Sequence, residues 1–233
     1  MNMSAGTQPQ VTEDKVIKLA GMRGMIANRM QESLATTAQL THHAECDVTA
    51  MMAYKVRLQE QGVKASVEDL LIDAVVRTLT RHPGVNATLQ DKEIKVSGKI
   101  NLAVAIALPG DLLVAPAILD AGSMSLTDRI AARRDVVERS RINKLSVTEM
   151  TAGTFTITNL GLSRVRFFTP ILNIPQVAIL GVGETSLRPW VIDGQITARP
   201  IMGLSLTFDH RAVNGSPAGQ FLTDLCAAIE QMT

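Results

Sequence analysis

The segment Ile100–Leu108 constrains the fold more than any other, because it is apolar at every position except Asn101. A short unbroken apolar run is typical of a strand buried on both faces, whereas a strand with one solvated face alternates apolar and polar residues. We therefore predict that Ile100–Leu108 is a central strand of a sheet. The run is much shorter than the roughly 20 residues of a membrane-spanning helix. Because Met1–Gln10 is polar, we expect no secretion signal either.

Shorter apolar runs predict the other strands. These are Gln39–Val48, Asn86–Leu89, Glu93–Val96, Leu112–Ile118, Thr154–Thr158, Val177–Val182 and Ile201–Thr207, with a hairpin at Ile192–Ile196 around Asp193-Gly194. Apolar residues at helical spacing predict helices. These are Gly24–Ala38, Asp47–Gln61, Ser66–Thr80, Ser125–Asn143 and Gly219–Met232.

The balance of charges excludes broad classes of partner. The 233 residues include 23 Lys and Arg against 22 Asp and Glu, which gives a net charge of +1. We therefore expect no binding to nucleic acid or to an anionic membrane. The hydrophobic share of 46% is enough for a large core in one domain. We expect a tail or linker remnant at Met1–Gln10, order from near Val11, and a single domain at residues 11–233.

Cysteine usage indicates a reducing compartment. Cys46 and Cys226 are far apart in the sequence and match no CxxC spacing, so we expect neither a disulfide framework nor a zinc site. The interpretation is a cytoplasmic protein without a metal.

The helix at Ser125–Asn143 is rich in arginine. A solvated helix face is favoured, and a surface for a partner protein is the alternative. The arginines are Arg129, Arg133, Arg134, Arg139 and Arg141.

The densest group of chemically active side chains is Phe208–Gly215, directly after a predicted strand, where binding and catalytic loops are found. His210 lies in it, and histidine is the most frequent general base near neutral pH. On these residues alone, a surface or capping histidine is the favoured interpretation. His42 and His43 are expected on opposite faces of their strand, so at most one of them faces a site.

Several ordered segments resemble the catalytic domain of the dihydrolipoamide acyltransferases, the core components of 2-oxo acid dehydrogenase complexes. The resemblance covers nearly the whole chain, and no single segment would establish it. The segments are Leu19–Arg23, Ile26–Met30, Val85–Ala87, Leu112–Pro116, Gly153–Gly161, Pro170–Asn173, Val177–Gly183 and Leu204–Arg211.

The resemblance implies an α/β fold like that of chloramphenicol acetyltransferase, with a mixed sheet, packed helices and a trimer whose active sites lie between subunits. It implies acyl transfer between S-acyl-dihydrolipoamide and coenzyme A, with His210 as the base that takes the thiol proton. Thr158 matches the family's hydroxyl residue, usually serine, that donates to the oxyanion. A β-branched residue favoured only by strand propensity is the alternative interpretation of Thr158.

Three further positions follow from the resemblance. Ser125 matches a position near the coenzyme A pocket, although a helix N-cap is the simpler interpretation. Asn214 replaces the family's aspartate, which in the related fold pairs with an arginine, and Arg23 is the candidate partner. Full activity, reduced activity and loss of catalysis all remain open for this substitution.

No lipoyl domain or subunit-binding domain is recognisable, so we expect the lipoyl group on a separate domain or chain. The expected partners are a lipoyl domain, the decarboxylase and dihydrolipoamide dehydrogenase components, and further copies of the chain in a homotrimer or a larger core. The last residues show no match to the family's apolar C-terminal hook, so we expect that an isolated trimer is possible as well as a larger core. A non-catalytic trimeric scaffold is the alternative function, and an antibiotic acetyltransferase is a weaker one. The acyl group stays open among acetyl, succinyl and branched-chain acyl.

Overall fold

A computed structural model describes Asp14, residues 16–110 and residues 112–233. The predictions for Met1–Gln10 and for the onset of order near Val11 lie outside these residues. Within the described ranges, no helix is long and apolar enough to cross a membrane.

A six-stranded mixed sheet organises the described chain, with strand order β1-β10-β9-β8-β4-β7. The strands are β1 (Gln39–Asp47), β2 (Ala87–Gln90), β3 (Glu93–Val96), β4 (Leu102–Val104), β5 (Ile106–Leu108), β6 (Leu112–Val114), β7 (Ala117–Ile118), β8 (Phe155–Asn159), β9 (Ala178–Ile192) and β10 (Gln195–Asp209). β2 pairs with β3, and β5 with β6, in two separate ribbons. The predicted hairpin is confirmed: Asp193 and Gly194 both have positive φ between β9 and β10.

Six α-helices are described, and three of them start at reciprocal Ser–carboxylate caps. The helices are α1 (Gly21–Thr36), α2 (Thr49–Glu60), α3 (Val67–Arg81), α4 (Leu126–Arg141), α5 (Val147–Thr151) and α6 (Gly215–Glu230). One-turn 3-10 helices lie at Pro83–Val85 and Ala121–Ser123. The capped starts at Ser66 and Ser125 are those that the sequence predicts.

The predicted central strand at Ile100–Leu108 is wrong in two respects. β4 is fully buried but lies second from the sheet edge, between β8 and β7. The run also breaks at Ala105, where the backbone N–H donates to the Ile157 carbonyl, and β5 then leaves the sheet to pair with β6. The predicted strand Leu112–Ile118 breaks likewise, because Pro116 has no N–H to continue a ladder. The sequence predicts one strand for each run, because apolar composition does not show which strands become neighbours in a sheet.

The two faces of the sheet differ in chemistry. One face is apolar and packs against α3 and α6, with Phe155 and Phe208 fully buried. The other face carries hydroxyls, and the Thr41 and Thr207 oxygens lie 2.7 Å apart across β1 and β10. As predicted, His42 and His43 lie on opposite faces. His42 packs on the Phe208 ring, whereas His43 Nδ1 lies 2.9 Å from the Ser205 oxygen.

Residues 165–168 form a covering segment on the hydroxyl-bearing face of the sheet, where they lie close to glycines of β9 and β10. A Cβ at Gly183 or at Gly203 would overlap the carbonyl oxygen of Arg166. A Cβ at Gly181 would lie 2.8 Å from the ring of Phe168. Only glycine therefore lets this segment lie on the sheet, where it forms one wall of the candidate site.

The expectation that the α4 arginines are mostly solvated is wrong. Arg129 is buried and forms an ion pair with Asp73 on α3. Arg133 pairs with Asp69 and Glu68, which are also on α3, and Arg139 pairs with Glu149 at the start of α5. Apart from Asp135 of α4, which also pairs with Arg139, these acidic partners come from other elements, so the pattern within α4 could not reveal them.

Candidate active site

The turn between β10 and α6 presents the predicted base. The backbone N–H of His210 donates to the Ala38 carbonyl at 2.8 Å, and the N–H groups of Ala212 and Val213 donate to the Asp209 carbonyl. The His210 side chain is exposed, and its ring centroid lies 5.9 Å from that of Phe208. The backbone of the turn is thus held by Ala38, the residue before β1, while the imidazole stays available to a ligand.

Asp209 anchors this turn, a role that the sequence pattern did not predict. Its buried carboxylate accepts hydrogen bonds from the Arg211 side chain and from the backbone N–H groups of Arg211 and Ala38. Burial alone would raise the pKa of Asp209, but these hydrogen bonds hold the pKa below its ordinary value. A charged anchor beside His210 keeps the turn in one conformation. In the sequence, the Asp and Arg on either side of the histidine were the pattern that could have predicted this anchor.

Thr158 lies on β8 at the hydroxyl-bearing face. It pairs in register with Gly181, whose position is covered by the Phe168 ring. Within the described residues its hydroxyl has no hydrogen-bond partner, whereas the Thr156 hydroxyl donates to Gln176 Oε1 at 2.6 Å. Thr158 is therefore the hydroxyl on this strand that is free to bind a ligand.

A cavity of about 1400 Å³ contains the Thr158 side chain. Its walls come from α1, from the β5–β6 ribbon and from the segment that covers the sheet. Thr156, Phe168, Ile179, Asp209 and Arg211 are among the lining residues. The cavity is large enough for a substrate arm, because binding sites for small ligands typically enclose about 300–1,000 Å³.

One copy of the chain does not bring Thr158 and His210 together. Thr158 pairs with Gly181, and Gly181 pairs with Ser205 on β10. His210 is five residues beyond Ser205 and two strands away from Thr158. At about 3.3 Å per residue and about 4.8 Å per strand, the two residues are roughly 19 Å apart. A site that uses both residues needs a second copy of the chain.

Arg23 and Asn214 do not meet within one chain, so their pairing stays a prediction for a contact between copies. The Arg23 guanidinium donates to the Gly110 carbonyl at 2.7 Å. Asn214 is the exposed N-cap residue of α6, and its side chain makes no capping hydrogen bond. α1 lies on the hydroxyl-bearing side of the sheet, where Ser33 donates to the Leu172 carbonyl, whereas α6 lies on the apolar side. The sheet therefore separates the two elements.

Ser125 caps α4, which confirms the simpler interpretation of this residue. Its hydroxyl accepts from the Asp128 N–H at 3.2 Å and donates to the Asp128 carboxylate at 2.6 Å. The side chain is exposed, so a coenzyme A contact stays a prediction. Among the residues that the structure describes, no group of three or more His, Cys, Asp or Glu could hold a metal ion.

Comparison with known proteins gives a consistent set of relatives. The family model of the 2-oxoacid dehydrogenases acyltransferase (catalytic domain) matches residues 11–233. The acetyltransferase component of the Bacillus subtilis acetoin cleaving system is 36% identical over 95% of this chain and 57% of its own length. The probable succinyltransferase component of the Schizosaccharomyces pombe 2-oxoglutarate dehydrogenase complex is 37% identical over 90% of this chain and 48% of its own length. The chain spans about half the length of these curated relatives.

Solved structures agree with the fold. A dihydrolipoamide acetyltransferase of Azotobacter vinelandii, studied for the role of a serine, a histidine and an asparagine in its catalytic mechanism, has a TM-score of 0.87 and 28% identity and covers 97% of each chain. The cubic core of a pyruvate dehydrogenase multienzyme complex has a TM-score of 0.87 and 29% identity and covers 97% of each chain. Chloramphenicol acetyltransferase, at a TM-score of 0.56, 14% identity and coverage of 87% and 92%, shares the fold alone. The predicted fold class is confirmed.

Proposed function

Because this chain belongs to the acyltransferase family of the 2-oxoacid dehydrogenases, we propose that it transfers an acyl group between S-acyl-dihydrolipoamide and coenzyme A. In this proposal the chain is the catalytic domain of an acyltransferase component. The lipoyl group is a substrate carried by another domain or chain, and decarboxylase and dihydrolipoamide dehydrogenase components are the partners.

The observation that carries the proposal is a match of residue type and spacing. In the Azotobacter vinelandii enzyme the serine lies 52 residues before the histidine, and the asparagine lies four residues after it. Thr158, His210 and Asn214 have the same two spacings. Threonine retains the hydroxyl of serine. An asparagine after the histidine therefore also occurs in a relative that is named as an acetyltransferase, and Asn214 gives no reason to expect an inactive chain.

The chemistry requires a base, because a thiol with a pKa of about 8.5 is mostly protonated at neutral pH. His210 takes the proton from the coenzyme A thiol as the sulfur attacks the thioester carbonyl. The carbonyl oxygen becomes an oxyanion, to which the Thr158 hydroxyl donates a hydrogen bond. Collapse of the tetrahedral intermediate breaks the bond to the dihydrolipoyl sulfur, which receives the proton back from His210. The reverse reaction uses the same two groups.

The separation of Thr158 from His210 supports a site between two copies. A head-to-tail interface in which one copy contributes His210 and the next contributes Thr158 closes into a ring when it repeats. We propose a homotrimer, the smallest ring consistent with the family resemblance. A larger core built from trimers uses the same interface.

The test is transfer from acetyl-CoA and from succinyl-CoA to free dihydrolipoamide, because relatives are named for both acyl groups. His210→Ala should lower kcat by on the order of 10²–10⁴, and Thr158→Ala by about 10²–10³. Thr158→Ser should stay within about tenfold of the wild-type chain, since the hydroxyl is kept. Thr80→Ala, at an exposed position on α3, is the matched threonine control.

Three outcomes separate this proposal from its rival. Loss of activity in both alanine variants, with the control unaffected, supports the acyltransferase. Full activity in His210→Ala would show that another group is the base. No transfer and no saturable coenzyme A binding by the wild-type trimer would favour the non-catalytic scaffold.

A further inference from the structure

The two cysteines, 180 residues apart in the sequence, lie together in the fold. Cys46 is near the end of β1 and is fully buried, and Cys226 is in α6 and is half-buried. The Cys46 sulfur is 3.6 Å from the Cys226 carbonyl oxygen, and the Cys226 sulfur is 4.0 Å from the Glu45 carbonyl oxygen. The two thiols are also close enough for each to shift the pKa of the other. The contact joins β1 to α6.

The two thiols are chemically unequal. The hydrogen bond from the Cys46 thiol to the Cys226 sulfur lowers the pKa of Cys226, although burial opposes this effect. The same hydrogen bond, burial and the nearby Glu230 and Asp47 carboxylates raise the pKa of Cys46. Because the thiolate is the reactive form of cysteine, Cys226 is the more nucleophilic member of the pair at neutral pH.

The two thiols also differ in access. Cys226 lines a cleft of about 500 Å³ between β1 and α6, together with His42, Glu45, Thr223 and Glu230. Cys46 does not line this cleft and has no exposed surface. A small oxidant that enters the cleft therefore meets the Cys226 sulfur first.

We propose that Cys226 and Cys46 form a peroxide-modifiable thiol pair that closes to an intrachain disulfide. In the first step the Cys226 thiolate attacks one oxygen of hydrogen peroxide, the O–O bond breaks, and Cys226 becomes a sulfenic acid with hydroxide as the leaving group. In the second step the Cys46 sulfur attacks the Cys226 sulfur and the S–OH bond breaks. The Cys46 proton and the leaving hydroxide form water. Two thiols lose two electrons in total, and one peroxide is reduced to two waters.

The disulfide would tie together the two elements that border the His210 turn. α6 begins directly after this turn, and the residue before β1 holds the His210 backbone through the Ala38 carbonyl. A bond between Cys46 and Cys226 closes a long loop of chain. A long closed loop lowers the entropy of the unfolded state more than a short one does. The oxidised protein should unfold at a higher temperature than the reduced protein, and a dithiol reductant should reverse the change.

The experiment exposes the assembled protein to a small molar excess of hydrogen peroxide, then counts thiols under denaturing conditions and measures mass. The wild-type chain should lose both thiols and two hydrogen atoms, and peptide mapping should link Cys46 to Cys226 within one chain. Cys46→Ser should accumulate a sulfenic acid at Cys226 that dimedone traps. Cys226→Ser should keep its remaining thiol, because Cys46 is buried.

Several results would overturn the proposal. They are retention of both thiols in the wild-type chain, disulfides only between chains, or equal loss of the remaining thiol in Cys226→Ser and Cys46→Ser. Circular dichroism of the reduced variants tests that each serine chain is folded. Because the readouts are thiol count and mass, the outcome does not depend on whether the chain is an acyltransferase.

Discussion

At the scale of single residues, Asn214 has no arginine partner within one chain. The side chain is exposed at the N-cap of α6, and Arg23 is bound to the Gly110 carbonyl. Within one chain, a negative charge at this position gains the helix dipole but no arginine partner at Arg23.

Asn214→Asp is therefore expected to raise the free energy of unfolding by about 0.3–1 kcal/mol through the helix dipole. It should leave acyl transfer within about tenfold of the wild-type rate, because both side chains present an acceptor oxygen. Urea unfolding and the acetyl-CoA assay measure the two effects. A gain in rate of about 10² or more would mean that the missing charge is essential to the site.

At the scale of elements, the glycines of β9 and β10 decide whether the covering segment can lie on the sheet. A side chain at Gly183 meets the backbone of Arg166, and backbone atoms cannot move aside as a flexible side chain can. Gly98, in contrast, has open space around it and ordinary φ.

Gly183→Ala is expected to cost about 3 kcal/mol or more in the free energy of unfolding, because overpacking must displace backbone. Gly98→Ala should change stability by less than about 1 kcal/mol. Chemical denaturation of both variants measures the difference. Equal stability of the two would show that residues 165–168 do not lie against β9.

The junction of α4 and α5 depends on a two-pronged ion pair. Arg139 donates to both carboxylate oxygens of Glu149, and Glu149 also closes the cap of α5 through Ser146. Hydrogen bonding to Arg139 is the main reason that the pKa of Glu149 falls from 4.5 to about 2. Because the pKa of Glu149 is lower in the folded state than in the unfolded state, the ion pair stabilises the fold at pH values above about 4.5. That stabilisation is lost as the pH falls from about 4.5 towards about 2.

Glu149→Gln is expected to destabilise the protein by about 1–2 kcal/mol at neutral pH, after allowance for solvent screening. The difference from the wild-type chain should shrink as the pH falls below about 4. Asp135→Asn is the control, because Asp135 pairs with the same arginine but is 60% exposed, and it should change stability by less than about 0.5 kcal/mol. A difference between Glu149→Gln and the wild-type chain that does not vary with pH would contradict the ion-pair account.

At the scale of the whole molecule, the distance between Thr158 and His210 would make activity a property of the assembly if the proposed site uses both residues. If adjacent copies supply one residue each, a trimer that mixes the two inactive variants contains one interface with both native residues.

Random co-assembly of equal amounts of His210→Ala and Thr158→Ala should therefore restore about a quarter of wild-type activity. The variants are unfolded and refolded together, and activity is compared with that of the same chains refolded apart and then mixed. Recovery only after co-refolding supports the shared site. No recovery, with mixed trimers shown by mass spectrometry, would place the whole site in one chain.

The sequence by itself determined features that depend on near neighbours in the chain. Ser66 and Ser125 start helices because each has a carboxylate three residues later. Asp193-Gly194 makes a hairpin because both residues tolerate positive φ. The roles of His210 and Thr158, in contrast, were predicted from the family resemblance and stay predictions.

The tertiary structure decided everything that depends on which elements become neighbours. It broke Ile100–Leu108 at Ala105 and gave Arg23 a carbonyl partner. It paired the α4 arginines with acids of other elements, and it brought Cys46 to Cys226. An apolar run in the sequence indicates burial, and a charged residue indicates an opposite charge nearby, but neither pattern identifies the residue that will be the partner. Strand order and register do so, because they set which side chains share a face of the sheet.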